Sequence, residues 1–218
     1  MLYKISTDGC DPVTFHKRCD GQGPTVTVLY TPKRSVYGAY TSCSWSSHDD
    51  MVKPRDHFIF QLQSKGQTRR RCFRSTERGR EMSMFHDNGP TFCGLETFDG
   101  KCTPSEGVFN LGDNYSMYGF KADNYETDGV KSQELNDGSS KVVDLEVYRV
   151  SCESGFPLLG CLCIMSPPPL GETYCFCLVR LSVCPSVTLR FRSITQVPLL
   201  SRRPLLILGS VGQRSRSQ

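Results

Sequence analysis

The chain contains no uninterrupted apolar run of about 18 residues, the minimum for a membrane-spanning helix, so no membrane span is expected. Met1-Leu2-Tyr3-Lys4 passes straight into a strand-like run without the apolar core of an export signal. A Gly-x-x-x-x-Gly-Lys-Ser/Thr loop is missing as well. With it go the backbone amides that cradle a nucleotide phosphate and the hydroxyl that holds magnesium. The six cysteines of residues 1–150 form no Cys-x-x-Cys pair. Free thiols in a reducing cytosol are therefore expected, and a cytoplasmic location with them.

Charge is unevenly distributed. Residues 151–218 lack Lys, Asp and Asn, and set seven Arg against only Glu153 and Glu172. Residues 1–150 carry 19 basic and 20 acidic side chains, so the formal charge of +4 comes from the C-terminal part. That balance argues against nucleic acid as a partner of the first 150 residues. A length of 218 residues allows one or two domains. Pro167-Pro168-Pro169, Cys175-Phe176-Cys177 and Arg214-Ser215-Arg216-Ser217-Gln218 fit no regular element, and residues 151–218 are expected to be an irregular, disordered or aberrant tail.

What is present is dominated by β pattern. Thr25-Val26-Thr27-Val28-Leu29-Tyr30 and Val36-Tyr37-Gly38-Ala39-Tyr40-Thr41 flank Thr31-Pro32-Lys33-Arg34-Ser35 and read as a hairpin closing on the only tryptophan, Trp45. Val26, Val28 and Tyr30 fall on one face, and Thr25, Thr27 and Leu29 on the other. The small pair Gly38-Ala39 suggests close approach by a neighbour. Leu2–Ile5 reads as a strand and Asp8-Gly9 as a turn. Asp11 is a good N-cap with Pro12 at N1, which predicts a short helix to about Cys19, stopped at Gly21. Phe58–Leu62 and Val142–Val150 alternate as strands, and Met82–Phe85 allows a short one. Lys65–Arg80 reads as an exposed basic loop, and residues 99–140 as loops with short strands. The predicted class is α+β, mainly antiparallel β in two packed sheets, with a few short helices.

The same residues resemble the TLDc domain family. Leu2-Tyr3, Ser6, Asp8-Gly9, Phe15-His16-Lys17-Arg18-Cys19-Asp20, Gly23-Pro24-Thr25, Tyr37-Gly38-Ala39-Tyr40-Thr41, Trp45, Phe58–Leu62, Gly89-Pro90-Thr91-Phe92 and Asp144–Val150 follow its motifs in order over residues 1–150. Within the family the chain is most similar to the interferon-induced protein 44 type. Ala39, Cys93 and Leu95-Glu96-Thr97-Phe98 depart from the pattern, and local repacking is expected there. The resemblance implies a β-sandwich with helices at its margins. It also implies a non-enzymatic protein-interaction module of the interferon and innate immune (antiviral) response or of oxidative-stress defence. Several relatives bind the vacuolar proton pump, which makes the pump a candidate partner. Relatives of the interferon-induced type continue into a GTPase-like domain, so a truncated form of a GTP-binding protein is the alternative.

No catalytic, cofactor-binding or metal-binding residue is assigned. Gly94–Cys102 imitates a phosphate loop, but its first glycine is one residue too far from Gly100 and Cys102 supplies no hydroxyl. His16 and Cys19 share a helical face near Cys10 and would suggest zinc, yet no second ligand pair follows to complete four. As a thiol pair with Asp20 or Asp8, the same two residues are poorly placed, because the helix C-terminus disfavours a thiolate. Lys65, Arg69, Arg70, Arg71, Arg74, Arg78 and Arg80 against Glu77 form a basic segment suited to RNA, an acidic partner or anionic lipid, with only Phe73 for base stacking. A solvated surface is the plainer reading of it. Trp45, Tyr37, Tyr40 and Phe60 are expected in the core. Asp20 and Glu96 are expected as surface carboxylates, with no matched partner that would suggest general acid–base work.

Overall fold

The computed structural model describes residues 1–99, 102–111 and 117–150 in full, together with the backbone of residues 159–165, 173–180 and 187–193. The elements begin with β1 (Tyr3–Lys4), α1 (Ile5–Asp8), α2 (Pro12–Cys19), β2 (Thr25–Tyr30) and β3 (Val36–Thr41). Next come β4 (Met51–Val52), β5 (His57–Ser64), β6 (Gln67–Arg74), β7 (Met82–Ser83) and β8 (Thr91–Phe92). Then follow β9 (Thr103–Ser105), β10 (Val108–Asn110), α3 (Ser132–Asn136), β11 (Lys141–Val142) and β12 (Asp144–Arg149). The last described strands are β13 (Leu159–Met165), β14 (Thr173–Arg180) and β15 (Val187–Ser193).

A six-stranded antiparallel sheet in the order β1-β12-β2-β3-β5-β6 organises residues 1–150. The β2–β3 hairpin sits at its centre, where both faces are buried. Leu29, Tyr37, Ala39, Ile59, Phe73, Leu145 and Val147 enter the larger core with Phe15, Trp45 and Phe92. Val26, Val28, Tyr30, Tyr40, Phe58 and Phe60 form a second cluster, in which Tyr40 and Phe58 stack at 5.0 Å. Period-two alternation places the two sets on opposite faces. Gly38 lies opposite Phe60 in the register, and a Cβ there would come within 2.8 Å of the Phe60 ring. The small residue therefore answers to close packing inside a strand.

Helix α2 follows from its caps. The Asp11 carboxylate accepts from the Val13 and Thr14 amides at 3.3 and 2.9 Å, and Pro12 opens the helix where no amide is needed. Its end is fixed by Gly21, whose φ of +68° is left-handed and whose N–H donates to the Trp45 carbonyl at 3.1 Å. Phe15, on the inner face, meets Tyr3 and Trp45 edge-on at 5.7 and 5.4 Å. Burying such rings contributes about 1.5–3 kcal/mol each.

Two expectations are corrected. Gln67–Arg74 is a strand, not part of a loop. Lys65 and Gly66 both take positive φ, at 50° and 79°, and form the two-residue turn that brings Gln67 opposite Ser64. Phe73 is its buried anchor, and the polar residues before it tolerate the sheet edge. Within residues 99–140, Ser132–Asn136 is helical, held when the Gln61 side-chain amide donates to the Glu134 carbonyl at 2.6 Å. Beyond residue 150, β13, β14 and β15 pair antiparallel in a sheet of their own. Tyr174, Phe176 and Leu178 alternate with Cys175, Cys177 and Val179, and aromatic and branched residues favour strands despite the Pro- and Ser-rich flanks. The triple proline and the closing Arg-Ser run lie outside the described residues.

Candidate functional site

The cluster around α2 brings His16, Cys19 and Asp20 together, but as parts of the core's edge. His16 is buried, with Nδ1 2.8 Å from Asp20 Oδ1 and Nε2 3.0 and 3.1 Å from the carbonyls of Phe85 and Asn88. It thus ties α2 to the turn before Gly89-Pro90. Asp20 also accepts from the Ser47 hydroxyl at 2.8 Å. Cys19 is fully buried, and burial, reinforced by the Asp20 charge, pushes its thiol up to about 12. Asp8 pairs with Arg18 at 2.7 Å.

Cys10 is bonded to Cys102 across 92 residues of sequence, with the two Cα atoms 5.7 Å apart. Free thiols throughout were expected, and this pair is the correction. Spacing along the chain gave no sign of it, because the fold alone brings residue 102 beside the β1–α2 corner. Among the described residues no group of three or more His, Cys, Asp or Glu side chains is placed to hold a metal ion.

The phosphate-loop imitation is built as a tight turn. Phe92 and Leu95 exchange backbone hydrogen bonds of 2.8 and 3.1 Å, and the Thr97 hydroxyl donates to the Pro90 carbonyl at 2.8 Å. Leu95 and Phe98 are core residues, and Gly94, at φ +90°, packs its backbone against Gly119 and Phe120. Gly100 and Lys101 lie outside the described residues.

Sequence reasoning passed over two buried polar groups. On β12, Glu146 Oε2 accepts from the Tyr30 and Tyr148 hydroxyls at 2.9 and 2.6 Å, while Lys4 Nζ lies 2.7 Å from Glu146 and 3.0 Å from Asp144. Asp144 also accepts from the Ser6 hydroxyl at 2.9 Å. Burial would lower the Lys4 pKa, but its bonds to the two carboxylates leave it raised. Burial and the Glu146 charge hold both tyrosines well above their ordinary range. On β5, His57 is held neutral by burial, its pKa drawn down to about 3, and the Tyr125 hydroxyl lies 3.2 Å from its Nε2. Alternation with Val143 and Phe58 marks these positions as strand residues, but strand pattern alone does not distinguish a buried carboxylate or imidazole from a solvated one.

The most strongly charged described surface is β6. Gln67–Arg70 are exposed, and Arg69, Arg70, Arg71 and Arg74 lie on this edge strand of the sheet. Arg71 meets Glu134 at 3.6 Å with both side chains well exposed, a contact that contributes little in water. The four expected core aromatics, Trp45, Tyr37, Tyr40 and Phe60, are all buried.

The described part of residues 1–150 is a mainly antiparallel β domain, with His16, Asp144 and Glu146 bonded inside it and arginines along one edge strand. The chain belongs to the TLDc domain family, whose model matches residues 1–151. No curated protein matches the chain. Among the described residues no helix is long and apolar enough to cross a membrane.

Proposed function

We propose that this chain is a non-enzymatic TLDc protein-interaction module of the interferon and innate immune response or of oxidative-stress defence. One observation carries the reading: the groups the sequence offers for chemistry are engaged in holding the fold. His16 bridges α2 to the Gly89-Pro90 turn, Cys19 is sealed in the core, and Cys10 is tied to Cys102. What remains accessible is surface charge suited to recognition. The interferon-induced protein 44 type and the vacuolar proton pump enter through the resemblance of the motifs. The truncated GTP-binding reading rests on that resemblance alone.

The test is affinity capture by the full chain from interferon-treated cell lysate, with and without GTP. GTP-independent recovery of the pump's soluble subunits, lost in a Gly38→Val chain, is the expected result. Retention on GTP resin without any protein partner would replace the module reading by nucleotide binding.

The Cys10–Cys102 bond favours a second reading, in which the chain responds to oxidants through its thiols. Peptide mapping after alkylation, with and without mild reductant, tests it. Opening of this pair alone, while Cys19 stays unmodified, supports a redox role; a pair that resists mild reductant counts against it.

A further inference from the structure

We propose that β13 and β14 carry a thiolate site for a thiophilic d10 metal ion, zinc(II) or copper(I), built from Cys161, Cys163, Cys175 and Cys177 beside Arg190 and Arg192 of β15. Such a site goes beyond the interaction-module reading and holds with or without it.

The backbone register brings these six residues together. In the β13–β14 ladder Cys161 stands opposite Cys177, and Cys163 opposite Cys175. In the β14–β15 ladder Cys177 stands opposite Arg190, and Cys175 opposite Arg192. Opposite residues share a face of a sheet, and so do residues two apart along a strand. Two adjacent rows on one face therefore run Cys161-Cys177-Arg190 and Cys163-Cys175-Arg192. Neighbouring positions are about 5 Å apart across the ladder and about 7 Å apart along the strand. None of the four cysteines is among the residues described in full, and it is their register positions that place them together.

That donor set selects its ligand. Thiolates are soft, and they favour copper(I) and zinc(II) over the oxygen-seeking magnesium and calcium. One row offers two thiolates, which a two-coordinate copper(I) ion takes. Both rows together offer four, the complement of a closed structural zinc site, once the sheet curls toward that face. Each thiol that becomes a ligand gives up its proton. Four thiolates around one zinc(II) ion leave two negative charges in excess, and two thiolates on a copper(I) ion leave one per row. Arg190 and Arg192 stand one to a row and offset either excess. A neighbouring cation also favours the thiolate over the thiol.

Cysteine also serves as a small apolar residue on sheet faces. A purely apolar face would not take an arginine in each of the same two rows. Leu162, Ile164, Tyr174, Phe176, Leu189 and Phe191 share the opposite face, which gives the sheet a separate apolar side. The cysteines are thus set apart from the bulky apolar residues and grouped with the cations.

The experiment uses the full chain, purified without added metal under argon and titrated with zinc(II) and, separately, with copper(I). Elemental mass spectrometry and the ultraviolet absorption of metal–thiolate bonds read what is bound after dialysis against a weak chelator. Retention of about one zinc(II) or about two copper(I) ions per chain is expected, and the count tells the two apart. Cys161→Ser, Cys163→Ser, Cys175→Ser and Cys177→Ser together should abolish retention. Cys152→Ser with Cys184→Ser, the two remaining cysteines of residues 151–218, should leave it unchanged. Arg190→Gln with Arg192→Gln should weaken binding about tenfold. Leu162→Cys with Cys163→Leu keeps the composition, moves one cysteine to the other face and should weaken binding as well. Far-ultraviolet circular dichroism confirms that each variant keeps the fold of the parent chain. No retained metal, retention in the quadruple variant, loss in the Cys152 and Cys184 control, or indifference to the Leu162–Cys163 exchange would each overturn the proposal. So would peptide mapping of the freshly isolated chain that finds Cys161 joined to Cys177 and Cys163 to Cys175, because a disulfide sulfur is not a thiolate ligand.

Discussion

The indole N–H of Trp45 donates to the Thr25 hydroxyl at 2.9 Å, with both residues buried. This bond fixes the segment after the hairpin against the hairpin's first residue. Replacing Thr25 by Val keeps the shape and leaves the indole N–H without its acceptor. A loss of about 1–3 kcal/mol is expected. Trp45 is the only tryptophan, so its fluorescence in urea titration reads the change at the site itself.

Gly38 faces a harsher constraint. A methyl group there would press on the Phe60 ring and on the Thr27 carbonyl. Neither can retreat, since both belong to central strands. Gly38→Ala is expected to destabilise by about 1–3 kcal/mol, as overpacking does, and Gly38→Val by more. Thermal unfolding followed by circular dichroism checks the order.

Glu146 gathers Tyr30, Tyr148 and Lys4 around one buried carboxylate. Glu146→Ala leaves the Tyr30 and Tyr148 hydroxyls without their acceptor and Lys4 with Asp144 alone, and should cost about 1–3 kcal/mol. Glu146→Gln keeps an acceptor and should cost less. A double-mutant cycle with Tyr148→Phe measures the coupling, and additive losses would count against a shared network.

His57 gives a pH dependence of definite sign. Its folded pKa is depressed by burial to about 3, against an ordinary 6.5. Between those values the unfolded chain binds the extra proton, so stability is complete above pH 6.5 and falls as the pH drops toward 3. The loss approaches about 1.4 kcal/mol per pH unit for this group. Urea unfolding at pH 7 and pH 5 should show a difference that shrinks in a His57→Gln chain.

Much of the fold was legible locally. The Asp11-Pro12 start of α2 and the alternation of β2, β3, β5 and β12 are short-range signals, and each reappears where the pattern put it. Strand β6 escaped because its exposed face is arginine, and its turn is Lys-Gly and not the more telling Asn-Gly. The acidic residues of β12 escaped for the opposite reason. Asp144 and Glu146 look like solvent-facing positions, and only the arrival of Lys4 from β1 and Tyr30 from β2, beside Tyr148 of β12 itself, makes their burial tolerable.

The sequence by itself determined the elements whose causes are local: caps, turns with fixed φ, alternating strands, and the small residue at Gly38. It also carried the TLDc motifs over residues 1–151. The tertiary structure alone decided the pairings between distant residues, Cys10 with Cys102, His16 with the Phe85 carbonyl, and Lys4 with Glu146. Those depend on which strands become neighbours, and that choice is made by the burial of whole faces, which no window of neighbouring residues contains.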